Sequence, residues 1–153
     1  MPTIISPEAL AIRKEWISII QQTSGSFTSD TSRLLDALEA ELVNTGGEGL
    51  RNHLRLCGAI PEAYDHDSSE EKLYSKYTDT LASAAFARLG IRSAVLTERA
   101  DAADVECFCD DFEFVADAKA FRLSRTAKNA KDFKVPSMNK WKFHREHAMV
   151  ICP

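Results

Sequence analysis

A chain of 153 residues, 44% of them hydrophobic, suits one globular domain with its own core. No apolar stretch nears the roughly 20 residues of a membrane span, and no cationic start precedes a leader-like apolar segment, so a cytoplasmic protein with no membrane partner is expected. Four irregularly spaced cysteines (Cys57, Cys107, Cys109, Cys152) make no disulfide framework, and the net charge of -4 conceals an asymmetry. Residues 119–153 carry nine Lys and Arg against only Asp132 and Glu146, leaving the acidic excess to the rest of the chain. A block like that is either a solvated basic helix or a surface facing a polyanion.

The first sixty residues read as helices. Ser6-Pro7-Glu8 is a helix start, with a hydroxyl cap, an early proline and an acid in the first turn. Ile12, Trp16, Ile19 and Ile20 then share a face. Asp30 or Thr31 is expected to open a second helix, striped by Leu34, Leu35, Leu38 and Leu42 and ended by Gly46-Gly47. A short helical piece spans Leu50 to Leu56. These stripes read as core and carry no chemistry.

The polar turn Asp65-His66-Asp67-Ser68-Ser69 introduces a long helix. Tyr74, Tyr77, Leu81, Ala85 and Leu89 point its face inward, and Gly90 stops it. Three runs of strand character follow, Ile91–Leu96, Asp104–Cys109 and Phe112–Ala120. Ser124 then caps a helix to about Phe133, Pro136 interrupts it, and Ala148–Cys152 reads as a last strand. Helix, three strands, helix, strand is a mixed α/β layer design.

If Asp110-Asp111 is a two-residue hairpin loop, Cys109 pairs with Phe112, and the same register sets Asp104 opposite Asp117. Their Cβ atoms would lie roughly 4.5–5.5 Å apart on one face, which Lys119 shares by the period of two. Like charges so placed repel unless something positive lies between them. A hard divalent cation held by one or two carboxylates, with waters and substrate phosphates, removes the conflict. The competing reading is a pair of surface acids, one salt-bridged to Lys119.

Behind this pair Arg122, Arg125, Lys128, Lys131 and Lys134 recur near helical spacing, with Ser124 and Asn129 among them. Cationic forks, a capped helix start and an amide are groups that hold phosphates and read base edges. Cations that bring DNA to paired carboxylates point to phosphodiester cleavage. Cys107-x-Cys109 with His144-x-x-His147 could be written as a zinc set, but the first spacing is too tight for a structural site. Gly46-Gly47 lacks the lysine and hydroxyl of a P-loop, and no nucleophile elbow is present.

Asp104 followed by Asp117-Ala118-Lys119 resembles the Asp…(Asp/Glu)-x-Lys signature of the PD-(D/E)XK nucleases. The segments EKLYSK (Glu71–Lys76), AADV (Ala102–Val105) and VADAKAFRLSRTAKNAKDFKV (Val115–Val135) are similar to the HindIII-type type II restriction endonucleases, which cut within AAGCTT. The similarity runs with few gaps from about Leu54 onward. It implies a restriction-endonuclease-like αβββαβ core over 65–153, after an N-terminal helical region over 1–64.

The resemblance further implies Mg²⁺-dependent hydrolysis of double-stranded DNA by a homodimer, with a DNA methyltransferase in the same system. Asp104 and Asp117 would be metal ligands, the Ala118 carbonyl another, and Lys119 the catalytic lysine. Glu71 is the expected acid of the first core helix, with Glu70 and Glu98 as competitors. Ala103 stands where the general signature has proline, and the hairpin is shorter than the family's by an even number, which preserves side-chain faces. The chain stops near half the family's length, so further DNA contacts and dimer surface are expected in the other half. An inactive DNA-binding fragment, or a repair or junction-resolving nuclease of this fold, are the alternatives.

Overall fold

A computed structural model of the protein describes residues 5–97, 101–124 and 133–152. Helix α1 (Pro7–Gln21) begins as its sequence predicts, with the Ser6 hydroxyl accepting the Ala9 amide at 3.1 Å. Helix α2 (Phe27–Asn44) begins earlier than expected, capped by Ser26. Asp30 lies buried in its first turn instead, and both its carboxylate oxygens accept the Ser24 amide at 2.9 Å. An acid that looked like a cap ties down the α1–α2 loop. Gly46-Gly47 also works at the other boundary: α2 ends at Asn44, and Gly46 leads into α3 (Gly47–Leu54).

After α3 comes a short strand, β1 (Ala59–Ile60), then the long helix α4 (Ser69–Arg88). Its buried face is wider than the expected stripe and includes Leu73, Thr78, Asp79, Ala82 and Phe86. Leu89, expected inward, is 75% exposed. The reason is the stop itself. Gly90 takes φ +79°, its amide bonds Ala87 O at 3.0 Å, and the Ile91 amide bonds Phe86 O at 3.0 Å. That αL closure turns the chain away and leaves Leu89 on the rim.

Strands β2 (Arg92–Val95), β3 (Val105–Phe108) and β4 (Glu113–Ala118) follow, then a two-residue strand β5 (Phe121–Arg122). Helix α5 (Val135–Lys142) and strand β6 (His147–Ile151) complete the order. The sheet runs β2-β3-β4-β6, antiparallel except for the parallel β4–β6 pair, and β1 pairs with β5 in a second, parallel ladder. Pro136 sits in the first turn of α5, where its missing N–H has no intrahelical acceptor to serve. Most of the helix expected to start at Ser124 falls on 125–132, outside the described residues.

The fold is thus mixed α/β, with an N-terminal helical region and helices on both faces of the sheet. Phe86 of α4 packs on Val105, Cys107, Phe114 and Ala116, while Met138 of α5 packs on Ala103 and Val115. Strand β4 is therefore covered on both sides, as its near-continuous apolar run requires.

The N-terminal helices and α4 share one buried cluster, from Trp16 and Leu34 to Tyr77 and Leu81. Trp16 stacks on Tyr77 at 5.1 Å and donates through Nε1 to Glu41 at 2.9 Å. His53 bridges Glu41 (2.9 Å) and the Tyr77 hydroxyl (2.8 Å). Burial pushes the Tyr77 phenol far above its ordinary range, so it stays a neutral hydrogen-bonding group. Trp16→Phe keeps the stack but removes a donor from Glu41. It should cost about 1–3 kcal/mol in urea unfolding, and no measurable loss would show that Glu41 is satisfied without Trp16.

Candidate active site

The β3–β4 hairpin carries the expected register. Val105 faces Ala116, Cys107 faces Phe114, Phe108 faces Glu113, and the Cys109 amide bonds Phe112 O at 2.9 Å. One further step in the same register sets Asp104 against Asp117, close enough for Asp117 to be one of the groups that raise the Asp104 carboxyl. Asp117 is 2% exposed, although it occupies the end of a strand. Lys119, two residues on, forms an ion pair with Asp117 Oδ2. The Lys119 amide is fixed in turn by Ile151 O at 2.8 Å, which extends the β4–β6 ladder past Ala118.

Two α4 residues that the pattern did not single out join this group. Asp79 is 2% exposed, and its Oδ1 is buried without a hydrogen-bond partner. Lys76 donates to Asp79 Oδ2 at 3.1 Å and to Leu96 O at 3.2 Å, so it fastens the helix to the chain after β2. Both fell between apolar positions of a helix whose stripe already looked complete. A signal was available: Lys76 and Asp79 are an i, i+3 pair beside Tyr77 and Thr78, on the inner side of the helix.

The electrostatics follow from burial. Desolvation raises the Asp104 carboxyl to about 8, and Asp79 and Asp117 add to the rise. Desolvation likewise raises Asp79 to about 6, opposed by Lys76. Crowded acids with an orphaned oxygen alongside form a donor set short of positive charge. Their hard oxygens suit Mg²⁺ or Ca²⁺, which accept one or two carboxylates and complete their shell with water or phosphate. Among the described residues no three His, Cys, Asp or Glu side chains form a cage that could hold a metal alone.

Other predicted residues are dispersed. Glu71 sits in the first turn of α4, about 12 Å along the helix from Asp79. Its amide bonds the Ser68 hydroxyl, and its Oε2 accepts from the Asp67 amide (3.1 Å) and from Arg122 (2.9 Å). Glu70 lies beside it in the same turn, and Glu98 is outside the described residues. Arg122 and Ser124 meet acids, and Lys134 takes φ +47° with its ammonium 5.6 Å from the Trp141 ring. Arg125, Lys128, Asn129 and Lys131 lie outside the described residues. The zinc set is not assembled: Cys107 is buried in the sheet core, whereas His144 and His147 are exposed.

Comparison with known proteins accords with this geometry. The family model described as HindIII restriction endonuclease matches residues 14–153. The type II restriction enzyme HindIII of Haemophilus influenzae (strain ATCC 51907 / DSM 11121 / KW20 / Rd) is 43% identical over 102 residues. That match covers 65% of this chain and 34% of the relative, so the chain spans about a third of the relative's length.

The raised carboxyls define a pH test. Their folded-state pKa values lie above the unfolded ones, so the stability they contribute is present in acid and is lost as pH rises through about 6 and then about 8. A bound divalent cation should oppose that loss. Ca²⁺ at one fixed concentration, one hundred times its Kd at pH 8, should add about 2.7 kcal/mol there and less at pH 6, read as a smaller rise in Tm. Asp104→Asn should erase the difference between the two pH values. A Tm indifferent to Ca²⁺ throughout would remove the metal from the site.

Proposed function

The chain belongs to the HindIII restriction endonuclease family, and we propose that it is a type II restriction endonuclease, hydrolysing double-stranded DNA site-specifically with Mg²⁺ at AAGCTT-like sequences. The observation that carries this reading is the Asp104–Asp117 confrontation across the hairpin, with Lys119 paired to Asp117. Neither a core pairing nor a surface ion pair accounts for two crowded acids flanked by a third that is buried and incompletely satisfied.

In this reading Asp104, Asp117 and the Ala118 carbonyl hold the ion. When bound, the ion supplies Lewis-acid polarisation of the scissile phosphate. Lys119 orients the attacking water and stabilises charge that develops on the phosphoryl oxygens, because its amide is locked by Ile151 and its ammonium is aimed at Asp117. Asp79 is the favoured acid of the first core helix. Glu71 is the weaker choice, since the Asp67 amide and Arg122 already engage it. Lys76 keeps Asp79 turned inward.

The basic segment brings the duplex to this site. Arg122, Ser124, Arg125, Lys128, Asn129, Lys131 and Lys134 are its proposed DNA contacts, and a homodimer is the proposed assembly, as a palindromic site requires. A methyltransferase of matching specificity would protect the host's own sites.

Lys119→Ala should reduce cleavage of plasmid in Mg²⁺ by roughly 10²–10³-fold while changing duplex affinity in Ca²⁺ little. Asp117→Asn should abolish both cleavage and the Ca²⁺ response. If Lys119→Ala still linearises plasmid at the parent rate, the lysine is not catalytic. Binding without any Mg²⁺-dependent cutting by the parent chain would make it a DNA-binding protein. Cutting without discrete fragments would point to repair or junction resolution.

Lys128→Ala and Asn129→Ala should differ. A lysine on phosphate weakens every duplex alike and lowers the salt slope by roughly one ion, whereas an asparagine on a base edge costs roughly 1–3 kcal/mol mainly at the preferred site. Anisotropy on AAGCTT and scrambled duplexes reads the difference. Equal losses on both duplexes would mean the segment only positions the backbone.

A further inference from the structure

Arg122 and Ser124 do not wait for a ligand with open donors. The Ser124 amide donates to Glu62 Oε1 at 2.8 Å, and the Ser124 hydroxyl donates to Glu62 Oε2 at 2.7 Å. Arg122 donates through Nη2 to Glu71 Oε2 at 2.9 Å, and its Nη1 lies 3.4 Å from the Glu62 carbonyl. The backbone N–H and the hydroxyl form a fork on the Glu62 carboxylate, and the neighbouring guanidinium, held by Glu71, adds a third anion donor on the same edge.

The seat is held from both sides. Ile60 pairs with Arg122 and Ala59 with Phe121, and the Phe121 amide bonds Gly58 O at 2.8 Å. Glu62 follows Ile60 by two residues, so the same short ladder sets the carboxylate and its donors. The contact contributes little to the core, because both Glu62 and Ser124 are exposed. The Ser124 amide and then its hydroxyl hold the Glu62 carboxyl below its usual range, so it is an anion at neutral pH.

We propose that Arg122 with the amide and hydroxyl of Ser124 forms a DNA-phosphate seat, that the Glu62 carboxylate occupies its Ser124 half while Arg122 rests on Glu71, and that a backbone phosphate displaces Glu62 when the duplex docks. The proposal rests on the DNA-cleaving reading and deepens it. Arg122 lies three residues beyond Lys119, at most about 10 Å of chain, and phosphates rise about 3.4 Å apiece along a strand. The seat is therefore within reach of a phosphate a few steps from the one at Lys119. Exchanging a carboxylate for a phosphate releases no net charge compensation, so at this position DNA of any sequence is bound less tightly than the donors alone would allow. Glu62 is a built-in competitor that restrains non-specific binding.

The test measures duplex affinity of the whole chain in Ca²⁺, by anisotropy, at several salt concentrations. Glu62→Gln should bind both an AAGCTT duplex and a scrambled one about 3–10-fold more tightly, and its slope of log K against log salt should steepen by about 0.9. Adding Ser124→Ala, which removes the hydroxyl that Glu62 occupies, should remove part of the gain. Unchanged or weaker binding by Glu62→Gln, with the parent slope, overturns the seat and leaves the DNA reading standing. Failure of the parent chain to bind either duplex overturns that reading, and the seat's ligand with it.

Discussion

Two carboxylates face each other where a sheet would ordinarily keep like charges apart, and the surrounding structure can be understood as what makes this tolerable. Burial and its acidic neighbours raise the Asp104 carboxyl, Lys119 pairs with Asp117, and Lys76 approaches from α4 through Asp79. Removing one lysine would leave an excess of buried negative charge, which is costlier than losing the pair it formed. The site therefore stores a demand for a cation. Burial on both faces of β4 raises that demand by excluding water from one wall of the group.

The N-terminal helices reach this site through α4. Trp16 and His53, both held by Glu41, grip Tyr77, and Lys76 and Asp79 lie one residue before it and two after. A helix pinned at Tyr77 has little freedom to rotate Asp79 away from the strands. Residues that touch no substrate thus govern where an acid lies, which is how a packed core supports a preorganised site.

Much of the fold was legible because local patterns were strong and unopposed. Ser6-Pro7, Gly90 and the Asp110-Asp111 turn each have one good structural meaning, and the hairpin register follows from the turn alone. The resemblance in the Val115–Val135 block supplied the chemistry that spacing could only suggest. Errors arose where a residue type serves two purposes. Asp30 suits a cap but ties down a loop, and Pro136 suits a break but opens α5. Strands β1 and β5 are too short to leave a period. Asp79 escaped notice because a buried acid inside a helix looks, in sequence, like any solvated one.

The parallel pairing of β4 with β6 has a bearing on when the site comes into existence. Lys119 is anchored through its amide to Ile151, a partner 32 residues later in the chain. Parallel strands close long loops before their hydrogen bonds are made, so this contact belongs to the late, non-local part of folding. During synthesis, a chain whose Ile151 is still inside the ribosome has the hairpin acids but not the anchored lysine. Order of emergence would then leave the newborn polypeptide without its anchored lysine, and amide exchange at Lys119 in stalled chains of increasing length would show when the anchor forms.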